Sequence, residues 1–103
     1  NFTGDVIIDG DVCDGFSVIS GGDVIIKGVV ECATIRAAGS IHISNGINGG
    51  SRADIYAKGD FRSQYIESTT IYVEGNIYAD SIIDSSITCL GNIRLLGNNE
   101  MIK

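Results

Sequence analysis

Proline and tryptophan are absent from this chain, and methionine and histidine each occur once. No window is rich in good helix formers. Val, Ile and Thr outnumber them almost everywhere, which leaves sheet as the expected structure. Basic residues are also scarce: seven Lys and Arg stand against thirteen Asp and Glu, for a net charge of −6. Without clustered cations to neutralise phosphates, neither nucleic acid nor an anionic membrane is the expected partner. No apolar run is long enough to span a bilayer and no signal peptide is visible, so no membrane insertion is expected. Cys13, Cys32 and Cys89 make an odd number with no CxxC pair. That pattern reads as reduced cytosolic thiols rather than a disulfide frame.

What the chain has in quantity is glycine, in a repeating context. The stretch Gly22 to Gly39, GDVIIKGVVECATIRAAG, holds three short apolar alternations separated by turn-sized gaps. GDVIIDGDVCDGFSVISG from Gly4 repeats it. Six such starts pair a glycine with Asp, Asn or Ser before an apolar residue, at Gly4, Gly22, Gly39, Gly59, Gly75 and Gly91. Their separations of 16 to 20 residues suit one coil of a β-solenoid.

Strand alternation then assigns inward columns. The first side gives Val6, Val24, Ile41, Phe61, Ile77 and Ile93, followed two residues on by Ile8, Ile26, Ile43, Ser63, Ala79 and Leu95. The second side gives Val12, Val30, Ile47, Ile66 and Ile82. The third gives Val18, Ile35, Ile55, Ile71 and Ile87, then Ser20, Ala37, Ala57, Val73 and Cys89. The expected fold is all-β, a single-stranded parallel β-helix of five to six turns forming one domain over residues 1–103, cut from a longer polypeptide. Valines six apart at 6, 12, 18, 24 and 30 suggest a left-handed coil, but the register breaks at Ile35, so a right-handed coil is favoured and the left-handed one is the alternative. The third turn swells through Asn48, Gly49, Gly50 and Ser51, read as a loop at the corner before Ile55.

Little points to chemistry. His42 falls between Ile41 and Ile43 and so points outward, without partners for a metal site or an acyl-transfer base. Asp5, Asp23, Ser40, Asp60, Asn76 and Asn92 stack along one corner. A calcium ladder would want carboxylates throughout, whereas the mixed set suits side chains that satisfy turn amides. The charged residues Asp9, Lys27, Glu74 and Asp80 are scattered, which gives no paired-carboxylate site. Cys89 replaces Ala and Val in an inward column, and Cys13 with Cys32 cannot complete a thiolate set. The NGGSR segment beside Arg52 lacks a phosphate-loop pattern. No catalytic, cofactor or metal site is expected.

The outward columns are more telling. On the first side they read Ile7, Ile25, His42, Arg62, Tyr78 and Arg94, and on the third Ile19, Arg36, Tyr56, Tyr72 and Thr88. Isoleucine, tyrosine and arginine are enriched at protein contacts, though they also favour strands. Ile7, Ile25 and Ile19 are the expected apolar anchors of a protein interface, with Arg36, Tyr56 and Tyr72 as its polar-aromatic part.

These turns, with NGINGG, AKGD, YIES and VEGNIYADSIIDSS, resemble the central region of the bacterial flagellar assembly protein A (FapA) family over nearly the whole chain. The resemblance implies a cytoplasmic bacterial protein with a β-helical middle domain, and a setting in flagellar assembly. The chain is also similar to the C-terminal domain of the division inhibitor MinC and, more weakly, to bactofilins, whose β-helices polymerise end to end. The expected function is a non-enzymatic scaffold that binds protein partners, a second copy of itself among them, through flat faces. The alternatives are a MinC-like or bactofilin-like assembly module, or an enzyme acting on carbohydrate or an acyl group.

Overall fold

A computed structural model of the chain describes residues 4–95. Its thirteen strands are β1 (Val6–Ile8), β2 (Ser17–Ser20), β3 (Val24–Ile26), β4 (Val30–Glu31), β5 (Thr34–Ala37), β6 (Ile41–Ile43), β7 (Gly46–Ala57), β8 (Phe61–Arg62), β9 (Tyr65–Val73), β10 (Ile77–Ala79), β11 (Ser81–Ile83), β12 (Ser86–Cys89) and β13 (Ile93–Leu95). They stack as the successive coils of a β-solenoid of about five turns. One sheet runs β1-β3-β6-β8-β10-β13 and carries the first side. The second sheet runs β11-β9-β7-β5-β2, with β4 paired to β7 and β12 to β9. In it the second and third sides merge, because β7 and β9 each span both. Every strand pair among the described residues is parallel.

The register places like on like. Val6, Val24, Ile41, Phe61, Ile77 and Ile93 are successive Cα partners on the first side. Val12, Val30, Ile47, Ile66 and Ile82 follow one another on the second. Val18, Ile35, Ile55, Ile71 and Ile87 do so on the third. All the inward columns read from the sequence are present. In the middle coils these side chains are fully buried, and at about 1.5–3 kcal/mol each they supply most of the driving force. The fourth coil shows volume compensation: Ser63 takes an isoleucine position, and Phe61 beside it is the largest fully buried side chain. The Ser63 hydroxyl is satisfied by donating to the Tyr65 carbonyl at 2.6 Å. In the last described coil Ile93 and Leu95 keep the register on Ile77 and Ala79 but are exposed.

The corner after the third side shows why glycine is followed by a short acceptor. Gly39 N donates to Gly22 O, Gly59 N to Gly39 O, Gly75 N to Gly59 O and Gly91 N to Gly75 O, at 2.8–2.9 Å. These bonds consume the glycine carbonyls, so the amide of the next residue must find another acceptor. The side chain of the equivalent residue one coil earlier provides it. Asp23 N donates to Asp5 Oδ1, Ser40 N to Asp23 Oδ1, Asp60 N to Ser40 Oγ, Asn76 N to Asp60 Oδ1 and Asn92 N to Asn76 Oδ1, all at 2.7–2.9 Å. The aligned polar residues are thus committed to backbone amides, as the turn-chemistry reading expects. Each acceptor oxygen lies 2.1–2.5 Å from the position of a Cβ on the next start glycine, too close for that atom to be added. None of Gly22, Gly39, Gly59, Gly75 and Gly91 has a left-handed φ, so the residue type is dictated by space and not by torsion.

The expected loop at Asn48 to Ser51 lies inside β7 as a bulge. Asn48 pairs with Glu67 and Ala53 with Thr69, so β7 runs five residue steps where β9 runs two. The bulge is packed: Gly49 is buried, and a Cβ there would sit 2.6 Å from the Ser68 carbonyl oxygen. Close backbone approach turns the glycine-rich insertion inward.

The corner predicts a double-mutant cycle. Asp23→Ala removes one acceptor and costs about 1 kcal/mol, and Gly39→Ala forces a Cβ against Asp23 Oδ1 at a cost of about 1–3 kcal/mol. Together they cost less than their sum by about 1 kcal/mol, because the shortened side chain vacates the space. Urea unfolding of the four proteins measures this, and strict additivity would refute the spatial coupling.

Candidate protein interface

The outward positions of β2, β5, β7, β9 and β12 form one column, since Ile19 pairs with Arg36, Arg36 with Tyr56, Tyr56 with Tyr72 and Tyr72 with Thr88. Parallel stacking at about 4.8 Å sets identical rings face to face. The Tyr56 and Tyr72 rings stack with centroids 5.6 Å apart and planes 23° from parallel. The Arg36 guanidinium lies 6.0 Å from the Tyr56 ring centroid, within cation–π range. Two carboxylates flank the column diagonally. Asp54 stands 4.0 Å from Arg36, an exposed pair worth little in water. Glu74 accepts the Tyr56 hydroxyl at 2.5 Å. That hydrogen bond, followed by desolvation and the carboxylate charge, raises the Tyr56 pKa above the ordinary tyrosine value. Ile19, 44% exposed, and Tyr72, 40% exposed, continue the surface on either side. The result is a flat, pre-ordered aromatic and cationic strip with an apolar end.

The six residues expected to bind a partner fall into two groups. Ile19, Arg36, Tyr56 and Tyr72 are consecutive rungs of this strip. Ile7 and Ile25 are Cα partners on the other sheet, Ile7 being 62% exposed and Ile25 half-buried. The structure makes two surfaces of them. The sequence does not single out Asp54 and places Glu74 only among scattered charges, because both reach their partners diagonally. The two-residue offset on one face is the signal that would have found them.

Other candidates are placed as follows. His42 is exposed, between Ile25 and Arg62 in the outward column of the first side. Arg52, on the bulge, turns to Asp14 at 3.4 Å and to Cys32 Sγ at 3.7 Å. It therefore serves an internal contact. The three cysteines are free, with Cys89 half-buried and its thiol 3.2 Å from the Gly75 carbonyl oxygen. Among the described residues no group of three or more His, Cys, Asp or Glu side chains is arranged to hold a metal ion, and no helix is long and apolar enough to cross a membrane.

A family model described as the flagellar assembly protein A beta solenoid domain matches residues 1–103. The chain belongs to that family. The likeness carried by AKGD, YIES and VEGNIYADSIIDSS therefore holds along the full sequence, and the coils described above are the solenoid that the family's description names. No curated protein and no solved structure matches the chain.

For this FapA solenoid the Tyr56–Glu74 bond predicts an alkaline signature. Folding raises the Tyr56 pKa, so its contribution to stability is complete below the ordinary tyrosine value of about 10 and is lost as pH rises through the elevated one. In an ultraviolet titration of tyrosinate, the Tyr56 step lies above the ordinary tyrosine value. Glu74→Ala, which removes both the acceptor and the charge, brings that step down toward the ordinary range, whereas an unchanged titration would contradict the hydrogen bond.

Proposed function

We propose that this domain is a non-enzymatic scaffold of a larger flagellar-assembly protein and that it binds protein through the Ile19–Arg36–Tyr56–Tyr72 strip, a second copy of the chain being the first partner to test. The observation that carries the reading is the stacked Tyr56–Tyr72 pair, capped by Arg36 and left open to solvent on a flat parallel sheet. Tyrosine and arginine held by their neighbours lose little side-chain entropy on binding, which suits them as anchors. Ile7 and Ile25 offer a smaller apolar patch on the other sheet, as a secondary contact. The family's tie to flagellar assembly supports a scaffold setting, with the cytoplasm of a bacterium as the compartment proposed for it.

Light scattering across a concentration series tests this. The wild-type chain forms a small oligomer of fixed size, and Ile19→Glu with Tyr72→Glu returns it to monomer while the strand signal in circular dichroism is kept. Ile7→Glu with Ile25→Glu weakens the association less. If the strip variant associates like wild type, the strip is not the contact. If mass grows without limit, end-to-end stacking is the mode instead.

A further inference from the structure

A second feature lies on the six-stranded side, away from the tyrosine strip. Where that side turns into the second, His42, Ser44, Arg62, Gln64 and Asp80 line a polar groove of about 260 Å³. Three consecutive coils build it, His42 and Arg62 being Cα partners on β6 and β8. Its floor is held by bonds between coils. Ser44 N donates to Ile26 O at 2.8 Å, Gln64 N to Asn45 O at 2.7 Å and Asp80 N to Gln64 O at 2.7 Å. The Arg62 guanidinium stands 5.9 Å from the Tyr78 ring centroid, within cation–π range.

At the glycine corner the polar side chains are used up by backbone amides. In the groove the situation is reversed. No ion pair or side-chain hydrogen bond among the described residues engages His42, Ser44, Arg62, Gln64 or Asp80, although all five border one concavity. A planar guanidinium, an imidazole, an amide and a hydroxyl are together the donors that an oxyanion takes up, the guanidinium in bidentate fashion. We propose that this groove binds a small molecule through a carboxylate or phosphate group held by Arg62 and His42, with Ser44 and Gln64 as supporting donors. Asp80, on the same groove, opposes a bare anion and accepts a hydroxyl or ammonium elsewhere on the ligand. The site therefore prefers a polar, mixed-function molecule to a simple ion, and it exists on a chain whose net charge of −6 opposes general anion attraction.

Amide NMR of the isotope-labelled chain, titrated in separate arms with inorganic phosphate and with malonate, tests this. Shifts that saturate and concentrate at Ser44, Arg62, Gln64 and Asp80 support the site, and the arm saturating at lower concentration identifies the preferred group. Arg62→Gln weakens binding by about tenfold or more, as loss of a charged hydrogen-bond partner does. Asp80→Asn tightens it in both arms. Lys58→Gln changes net charge identically at a position outside the groove and leaves binding unchanged. Non-saturating shifts spread over all basic residues, or Lys58→Gln weakening binding as much as Arg62→Gln, would overturn the proposal.

Discussion

At each start glycine from Gly22 onward, an oxygen from the preceding coil lies too close to leave room for a β-carbon, and that oxygen is the acceptor for the amide of the residue after the glycine. One geometric requirement therefore fixes two residue types in different coils. The glycine of one coil is needed because of the Asp, Ser or Asn of the coil before. Each bond contributes only about 0.5–1.5 kcal/mol net, but its absence would leave an amide unpaired at a crowded turn. With the corner held, every coil begins at the same height and angle, and the apolar columns meet rung by rung.

This coupling explains how much was legible in the sequence. Strand alternation and the start glycines together set Val6, Val12 and Val18 inward: the first-side residue stands two after its glycine and the third-side residue four before the next, while the second side, at 9 to 12 before it, rests on alternation alone. The rows held even in the coil where Ser63 replaces an isoleucine, because Phe61 fills the volume. The insertion at Asn48 to Ser51 was harder to read. Glycine and asparagine signal a turn, yet Gly49 tucks against Ser68 and Thr69, a fit visible only once β7 lies on β9. The site was legible in part. A column of Arg36, Tyr56 and Tyr72 follows from register alone, whereas the diagonal reach of Glu74 to Tyr56, or the convergence of Asp80 with His42, depends on side-chain direction at a corner. Composition carries no record of that.

The two surfaces differ in what the fold has already arranged. Along the tyrosine strip the side chains hold one another, ring on ring and guanidinium on ring, so the surface is ordered before any partner arrives. In the corner groove the backbone is ordered and Arg62 rests against the Tyr78 ring, while the hydrogen-bonding groups of the side chains remain uncommitted. The first arrangement suits a broad contact in which shape matters most, the second a small polar ligand that supplies the missing bonds. Both arise from the same regularity, since a solenoid repeats each outward position and any residue type chosen twice becomes a stack.

The corner bond also has a direction: the side-chain oxygen always belongs to the earlier coil and the amide to the later one. What passes between neighbours is thus a one-way handshake with very short terms, a compact acceptor on one side and an empty Cβ position on the other. Asp, Ser and Asn all honour it, across coils of unequal length. A whole coil is in this sense an exchangeable cassette, so such a domain can lengthen or shorten in evolution by duplicating or deleting entire rungs, while an insertion inside a rung has to be absorbed locally, as the bulge of β7 absorbs three extra residues.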